Sequence, residues 1–144
     1  MKIKFKKLVP EAVKPKFAKL NDAGADLVAT SIKFRGDAQV VYGTGLAVEI
    51  PEGMVGLVFP RSSVRDKKLS MANSVGVIDS GYRGEIMVTF NVIEGDDLDF
   101  TGKYSVGDRI AQLVIMPVPL AQYVEVDELS ETSRGTSGHG SSGK

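Results

Sequence analysis

Apolar residues along this chain recur in short runs with a period of two, and turn residues separate the runs. The clearest runs are Leu46, Val48 and Ile50; Val55, Leu57 and Phe59; residues 75–78; Ile86, Val88 and Phe90; and Ile110, Leu113 and Ile115. Alternation of this kind predicts half-buried β-strands, and many short strands at such spacing are typical of an all-β barrel or sandwich. The sequence shows no internal repeat and no helical periodicity over more than a few turns.

Glycine, proline and Asx residues mark the predicted turns between these runs. Residues 51–53 (Pro-Glu-Gly) predict one turn, and residues 79–81 (Asp-Ser-Gly) predict a hairpin turn between the strands on either side. Pro117 and Pro119 end the last strand, because proline cannot donate to a β-ladder.

One segment, residues 62–68, lacks alternation and follows Pro60, which predicts a short helix. Ser63 and Asp66 are spaced as in a capping box, with Asp in place of the usual Glu. A helix N-terminus beside Arg61 would present free N–H groups and the positive end of a dipole to a phosphate. An ordinary capped surface turn explains the same residues.

Composition and charge indicate one soluble globular domain. Of the 144 residues 42% are hydrophobic, and Lys+Arg and Asp+Glu both number 18, so charge does not suggest a nucleic-acid or membrane-surface binder. The chain has no cysteine and one histidine, which excludes disulfides and zinc–thiolate sites and disfavours a His-rich metal site. No apolar run approaches ~18 residues and no signal peptide is evident, so we expect a cytoplasmic protein.

The C-terminal residues 131–144 have almost no apolar side chains, yet they carry Arg134, glycines, hydroxyls and His139, the single histidine. Glycine lets backbone N–H groups approach a phosphate, hydroxyls add donors, and arginine adds a charged fork. By itself this composition favours a disordered tail or an expression remnant. A phosphate-binding arm needs support from elsewhere in the chain.

Five segments supply that support: residues 21–27 (NDAGADL), 60–63 (PRSS), 73–84 (NSVGVIDSGYRG), 107–113 (GDRIAQL) and 134–143 (RGTSGHGSSG). In order and spacing they resemble the five motifs of the homotrimeric dUTPase family, the deoxyuridine triphosphate nucleotidohydrolases. The resemblance runs over nearly the whole chain. It implies an all-β, jelly-roll-like β-barrel over residues 1–130 with one short helix. Residues 131–144 would form a flexible arm that closes over the active site.

The resemblance also implies a function. It is the hydrolysis of dUTP to dUMP and pyrophosphate, which limits uracil incorporation into DNA and supplies dUMP for thymidylate synthesis. Water would attack the α-phosphorus in line, with the assistance of Mg²⁺. The resemblance further implies a homotrimer whose active sites are shared between subunits, with no nucleic-acid or membrane partner.

The third segment matches family positions that bind the nucleoside and carry out the chemistry. Asp79 matches the aspartate that deprotonates the attacking water and contacts the 3′-OH, and Tyr82 matches the tyrosine that packs on the sugar and excludes a 2′-OH. Positions around the uracil are matched by Asn73, Val77, Ile78 and Met87. From the residues alone, Asp79 merely starts a turn and Tyr82 is a half-exposed strand aromatic.

Phosphate contacts in the family are matched by Arg61, Ser62, Ser63 and Gln112. Asp26 matches a carboxylate that meets Mg²⁺ through water while the triphosphate holds the ion, an arrangement that suits this strongly hydrated cation. Turn capping beside Gly24 is the alternative for Asp26 from the residues alone. Asp108 and Arg109 are expected to form a structural ion pair near the trimer axis.

On the arm, Arg134 and Ser141 match contacts to the γ-phosphate, and Gly138 and Gly140 flank His139. The family places a phenylalanine at the position of His139, where it closes over the uracil as a lid. Because an imidazole is smaller, more polar and chargeable in mild acid, we expect a weaker or pH-sensitive lid, or the help of another aromatic residue.

Two other functions fit part of this pattern. A dCTP deaminase of the same fold family needs a glutamate where this chain has Asp79, and it lacks the complete arm. A non-enzymatic, nucleotide-sensing trimer on the same fold would not need the catalytic positions, all of which are filled here.

Overall fold

The computed structural model describes residues 1–36, 38–93 and 103–138, and within them the chain is built almost entirely from short strands. The strands are β1 (Lys4–Lys7), β2 (Ala25–Val28), β3 (Ser31–Arg35), β4 (Gln39–Gly43), β5 (Leu46–Glu49), β6 (Met54–Pro60), β7 (Leu69–Met71), β8 (Gly76–Ile78), β9 (Met87–Val92) and β10 (Arg109–Pro117). A 3-10 helix covers Ser62–Lys67. The all-β prediction is therefore confirmed.

The strands form two four-stranded antiparallel sheets and a small two-stranded one. The first sheet has the order β2-β10-β6-β8, the second has the order β3-β4-β9-β7, and β1 pairs with β5. Buried side chains from both larger sheets join in one hydrophobic core, so these sheets pack in the manner of a jelly roll. In the described part of the chain the pairing leaves the sheets open rather than closed into a ring.

Most of the predicted alternation matches the observed burial, with one strand facing the other way. Leu46, Val48 and Ile50 are buried, as are Ile86, Val88 and Phe90. The run of Val55, Leu57 and Phe59 predicted β6 correctly, but the buried positions of that strand are Gly56 and Val58. Apolar residues on both faces make the period-two signal ambiguous, and only packing against the core decides which face turns inward.

The predicted turn at residues 51–53 is present, whereas the predicted hairpin at 79–81 is wrong. Gly53 has φ +74°, and the Met54 N–H donates to the Pro51 carbonyl at 3.1 Å. Strand β8 pairs with β6, while β9 pairs with β4 and β7, so residues 79–86 carry the chain from one sheet to the other. This crossing segment holds several of the expected site residues at the surface.

The short helix is confirmed, but the predicted capping box is not formed. Residue Arg61 occupies the N-cap position without a side-chain cap hydrogen bond, and Lys68 ends the helix in the left-handed conformation at φ 48°. The Ser63 hydroxyl lies near the Tyr104 hydroxyl instead, at 3.1 Å. Among the described helices there is no candidate membrane span.

Candidate active site

The segment between β8 and β9 forms a surface pocket of about 200 Å³, named here the crossing pocket. It is lined by Val77, Ile78, Asp79, Tyr82, Glu85 and Met87. Val77 is 63% exposed and Met87 is 57% exposed, although both are apolar. Exposed apolar side chains grouped around a depression are typical of a binding surface.

Tyr82 is fixed at one wall of the crossing pocket by its hydroxyl and its backbone. Its hydroxyl donates to the Glu85 carbonyl at 2.9 Å, and its N–H donates to the Asp79 carbonyl at 3.1 Å. The Arg83 guanidinium holds the same turn closed, because Nη1 donates to the carbonyls of Ser80 at 2.6 Å and Tyr82 at 2.8 Å. The tyrosine ring is therefore held in place before any ligand binds.

Asp79 lies at the mouth of the crossing pocket, just after the last residue of β8. The residue is exposed, and in the described part of the chain its carboxylate accepts no hydrogen bond. An unpaired carboxylate beside a pocket is available to hold and deprotonate a water molecule.

Asn73 lies beside the crossing pocket rather than in its lining. It borders a neighbouring depression of about 260 Å³, together with Arg35, Gln39, Ala72, Met87 and Thr89. Met87 lines both depressions, so Asn73 is adjacent to the crossing pocket across this one side chain.

A second surface pocket, of about 300 Å³, lies where β2, β10 and the end of β6 meet, and it is named here the sheet-end pocket. It is lined by Ala18, Asp22, Ala23, Gly24, Asp26, Arg61, Ser62 and Gln112. In contrast to the crossing pocket, its wall is mostly polar and includes a guanidinium. The structure thus brings together four residues that the sequence assigned to phosphate and metal: Asp26, Arg61, Ser62 and Gln112.

Asp26 joins two arginines at the sheet-end pocket. Its Oδ1 accepts from Arg61 Nε at 2.9 Å, and its Oδ2 accepts from Arg109 Nη1 at 3.0 Å. The predicted pair between Asp108 and Arg109 is therefore wrong, and Asp108 instead accepts the Ser105 N–H at 2.8 Å. Asp108 lies in the turn before β10, whereas the antiparallel partner strand β2 brings Asp26 within reach of Arg109, the first residue of β10.

Strand register explains the position of Gln112. It pairs with Asp26 on β2 and with Phe59 on β6, and its Nε2 donates to the Pro60 carbonyl at 3.2 Å. Gly24 leaves the space for this side chain, because a Cβ at residue 24 would lie 3.0 Å from the Gln112 Cβ.

Ser63 links the sheet-end pocket to the core. Arg61 Nη1 donates to the Ser63 hydroxyl at 3.4 Å, and this hydroxyl lies 3.1 Å from the hydroxyl of the buried Tyr104. The Lys67 ammonium lies 5.4 Å from the centre of the Tyr104 ring. Ser63 thus supports Arg61 from behind and does not line the pocket itself.

The two pockets are well separated along the chain. Ile78, which precedes Asp79, pairs with Gly56 on β6, and Arg61 is five residues further along that extended chain. At a rise of about 3.3 Å per residue, roughly 17 Å separate the two positions. Because β8 runs antiparallel to β6, Asp79 continues away from Arg61.

The described part of the arm contacts neither pocket. Arg134 Nε donates to the Ser137 carbonyl at 3.1 Å within a local turn, and Gly135 has φ +51°. Neither Arg134 nor Gly138 lines either pocket. The remaining predicted arm contacts, His139, Gly140 and Ser141, lie outside the described residues.

The described residues contain no group of three or more His, Cys, Asp or Glu side chains able to enclose a metal ion. The sequence assigned Asp26 to contact with Mg²⁺ through water. The side chain of Asp26 is 15% exposed. A single, partly shielded carboxylate suits contact with a hydrated Mg²⁺ carried by a ligand, rather than a protein-bound metal centre.

The sequence did not indicate Glu85 as a pocket residue, and it assigned Arg109 to the wrong carboxylate. Glu85 lines the crossing pocket, and its carboxylate accepts the Gly45 N–H at 2.7 Å. A lone charge directly before the apolar run at residues 86–90 was the available signal. Arg109 completes the Asp26 pair, and no local pattern indicates a contact between residues 83 positions apart in the sequence.

Comparison with known proteins points to one family. The dUTPase family model matches residues 11–143. The chain is 42% identical to the deoxyuridine 5′-triphosphate nucleotidohydrolase of Rhodococcus erythropolis, over 99% of this chain and 87% of that protein. It is 44% identical to the enzyme of the same name from Corynebacterium glutamicum, over 99% and 95% of the two chains.

Solved structures agree with these relatives. A point mutant of the dUTPase from Staphylococcus bacteriophage 80alpha, solved with dUpNHpp, superposes with a TM-score of 0.87 at 30% identity and covers 99% of both chains. A mutant dUTPase from phage phi11 of S. aureus, described with a structural Mg(II) ion, has a TM-score of 0.76 at 26% identity, over 91% of this chain and 100% of that one.

Proposed function

Because the chain belongs to the dUTPase family, we propose that it hydrolyses dUTP to dUMP and pyrophosphate by in-line attack of water on the α-phosphorus. It is a dUTP diphosphatase, a hydrolase of nucleotide metabolism. The reaction limits uracil incorporation into DNA because it removes dUTP, and its product dUMP supplies thymidylate synthesis. We place this reaction in the cytoplasm. The observation that carries the residue assignment is the unpaired Asp79 carboxylate beside Tyr82 at the crossing pocket.

Asp79 acts as the general base. Its exposed carboxylate can hold a water molecule against the α-phosphorus and take its proton, and positioning supplies most of the rate gain in such a step. The electron pair of the water oxygen forms the new P–O bond as the bond to the bridging oxygen breaks. Pyrophosphate leaves, and the proton remains on Asp79 until solvent removes it.

The crossing pocket binds the nucleoside. Tyr82, held by its hydrogen bond to the Glu85 carbonyl, packs against the deoxyribose and leaves no room for a 2′-OH. Uracil lies against Val77, Ile78 and Met87 and meets backbone groups of β8, while Asn73 approaches from the adjoining depression. Fixed backbone donors and acceptors reject a base whose hydrogen-bonding groups do not match those of uracil, because a buried polar group would be left unpaired.

The sheet-end pocket binds the phosphates. Arg61 contributes a guanidinium, Ser62 a hydroxyl and Gln112 an amide, all at one polar pocket. Ser63, which hydrogen-bonds with Arg61, keeps this turn in place. A guanidinium fork is well matched to phosphate oxygens.

We propose Mg²⁺ as the cofactor, bound mainly by the triphosphate and met through water by Asp26. When bound, the ion would neutralise part of the phosphate charge. Asp26 already balances Arg61 and Arg109, so its carboxylate both orients the phosphate-binding guanidinium and presents an oxygen edge to the hydrated ion.

Each active site is shared between subunits of a homotrimer. The α-phosphate must contact both Asp79 and the phosphate turn, yet roughly 17 Å of strand separate these positions within one chain. Arg61 is moreover held by Asp26 at the opposite end of β6. A site in which one subunit supplies Asp79 and Tyr82 and its neighbour supplies Arg61 and Gln112 removes this conflict.

Residues 118–130 support such an assembly. The segment has no regular secondary structure, and Leu120, Tyr123 and Leu129 are 97%, 96% and 87% exposed. Its acidic residues are Glu125, Asp127 and Glu128. The apolar pocket of about 610 Å³ beside β1 is bordered by Lys2 and Lys14. Apolar exposure and opposite charge favour docking of this segment on another copy.

The arm completes the site. Arg134 and Ser141 bind the γ-phosphate, backbone N–H groups of Gly138 and Gly140 approach the phosphates, and His139 stacks on the uracil. Among the described residues Arg134 makes only a local hydrogen bond, through Nε to the Ser137 carbonyl, so its guanidinium keeps donors for a phosphate.

Asp79→Asn tests the assignment of the base. The variant should still bind the non-hydrolysable analogue dUpNHpp, because the amide keeps the shape of the side chain, and should lose several orders of magnitude in kcat. Retention of turnover would show that Asp79 is not the base. Incubation of the parent with dUTP, dCTP, dTTP and UTP plus Mg²⁺ tests the reaction itself. Pyrophosphate from dUTP alone is expected, and ammonia from dCTP would instead indicate a deaminase.

A further inference from the structure

We propose that Gly84 is a positioning residue for sugar selectivity, because the absence of a side chain at this position makes the space that the Tyr82 ring occupies. The proposal rests on the role of Tyr82 given above. It adds to the hydrogen bonds of Tyr82 a second feature, the space above residue 84, that sets where the ring lies.

The Tyr82 ring lies directly over Gly84. A Cβ at residue 84 would lie 2.6 Å from the Tyr82 Cζ and 2.9 Å from its Cε2, closer than such atoms can approach. The φ of Gly84 is outside the left-handed region, so the backbone does not require glycine there. The three atoms nearest to such a Cβ all belong to the Tyr82 side chain.

The ring is also restrained at its other end. Its hydroxyl donates to the Glu85 carbonyl, and the Glu85 carboxylate accepts the Gly45 N–H at 2.7 Å at the start of β5. A methyl group on residue 84 would therefore push the ring away from an acceptor that is itself anchored. The ring would have to leave this hydrogen bond to avoid the methyl group.

Displacement of the ring changes the room beside the sugar. Tyr82 lines the crossing pocket next to Asp79, so a ring that rotates away opens space where a 2′-OH would lie. If the Tyr82 ring excludes UTP by steric contact, selectivity for dUTP over UTP is lost when the ring moves. One methylene more or less in a pocket changes discrimination between substrates by about 10- to 200-fold.

Gly84→Ala is the direct test, with Gly81→Ala as its matched control. Both variants add one methyl in the same segment, and both positions have φ outside the left-handed region. A Cβ at residue 81 meets nothing within 4 Å. We expect Gly84→Ala to raise the kcat/KM for UTP relative to that for dUTP by about tenfold or more, and Gly81→Ala to leave this ratio at the parent value. An unchanged ratio in Gly84→Ala would overturn the proposal.

Tyr82→Ala separates failure of the proposal from failure of the assigned role of Tyr82. If Tyr82→Ala leaves the sugar preference unchanged, the role of Tyr82 is wrong and the proposal falls with it. If Tyr82→Ala relaxes the preference but Gly84→Ala does not, only the role of Gly84 is wrong. In the Tyr82→Ala background, Gly84→Ala should change the ratio no further.

A folding readout covers the case in which Gly84→Ala is too unstable to assay. The double variant lacks the ring that the methyl would meet, so its midpoint of thermal unfolding should return to that of Tyr82→Ala alone. A midpoint that stays low in the double variant would show that residue 84 acts on something other than Tyr82, which overturns the proposal.

Discussion

Shared active sites predict that two inactive variants restore activity when their subunits mix. Asp79→Asn removes the base from the crossing pocket, and Arg61→Gln removes the guanidinium from the sheet-end pocket. These positions lie at opposite ends of β6 in one chain, roughly 17 Å apart. If each site takes Asp79 from one subunit and Arg61 from its neighbour, some mixed trimers contain sites with both residues intact.

The size of the recovery follows from the geometry. In an equal, random mixture, the subunit that supplies Asp79 is the Arg61→Gln variant half of the time, and its neighbour is the Asp79→Asn variant half of the time. About a quarter of the sites are then intact, provided that the ring of subunits is closed and symmetric. If one subunit supplied both residues, every site would lack one of them and no activity would return.

Co-refolding provides the assay. The two variants are unfolded, mixed, refolded together and assayed for pyrophosphate release from dUTP, and each variant refolded alone gives the background. Asp79→Asn refolded with the parent chain is the matched control, because about half of the sites are intact under either arrangement.

Recovery that stays at the background of the separate variants, while the control reaches half of the parent activity, would refute the shared site. High activity of Arg61→Gln alone would instead show that Arg61 does not serve the phosphates. Circular dichroism of each variant checks that loss of the Asp26 ion pair has not unfolded the chain.

Two further predictions concern the arm and the core. Replacing His139 with alanine should weaken dUTP binding or turnover, and replacing it with phenylalanine should strengthen the lid and remove any pH dependence of the imidazole; equal kinetics in both variants and the parent would contradict the lid role. Burial raises the pKa of Tyr42 from an ordinary value of 10.0 to about 12. The unfolded chain therefore loses this proton before the folded chain does, so the free energy of unfolding keeps the Tyr42 contribution below pH 10 and loses it as pH rises from 10 through about 12. Denaturant unfolding of Tyr42→Phe should show a smaller fall in the free energy of unfolding between pH 10 and pH 12 than the parent shows. An identical dependence on pH in both proteins would exclude the effect. At neutral pH the same variant loses the hydrogen bond to the Tyr104 carbonyl, which costs about 1 kcal/mol.

Much of the candidate site could be predicted because its parts are local in sequence. The segment from residue 73 to residue 84 contains β8, the turn after it and Tyr82, and the structure places four of its residues around one pocket: Val77, Ile78, Asp79 and Tyr82. The turn at residues 51–53 could also be predicted, because the positive φ at Gly53 favours glycine. The hairpin at 79–81 was wrong because a turn signal reports a change of direction and not the sheet that the next strand joins.

The sequence alone determined five of the ten strands (β5, β6, β8, β9 and β10), the turn at Gly53 and the order of the five motifs, since these depend on neighbouring residues and on a period of two. The three-dimensional structure alone decided which face of β6 turns inward, which arginines meet Asp26, and that the Tyr82 ring lies over Gly84. It also decided that Asp79 and Arg61 lie at opposite ends of one strand. Contacts across sheets join residues that are far apart in the chain, and they follow from register and packing, which no local pattern encodes.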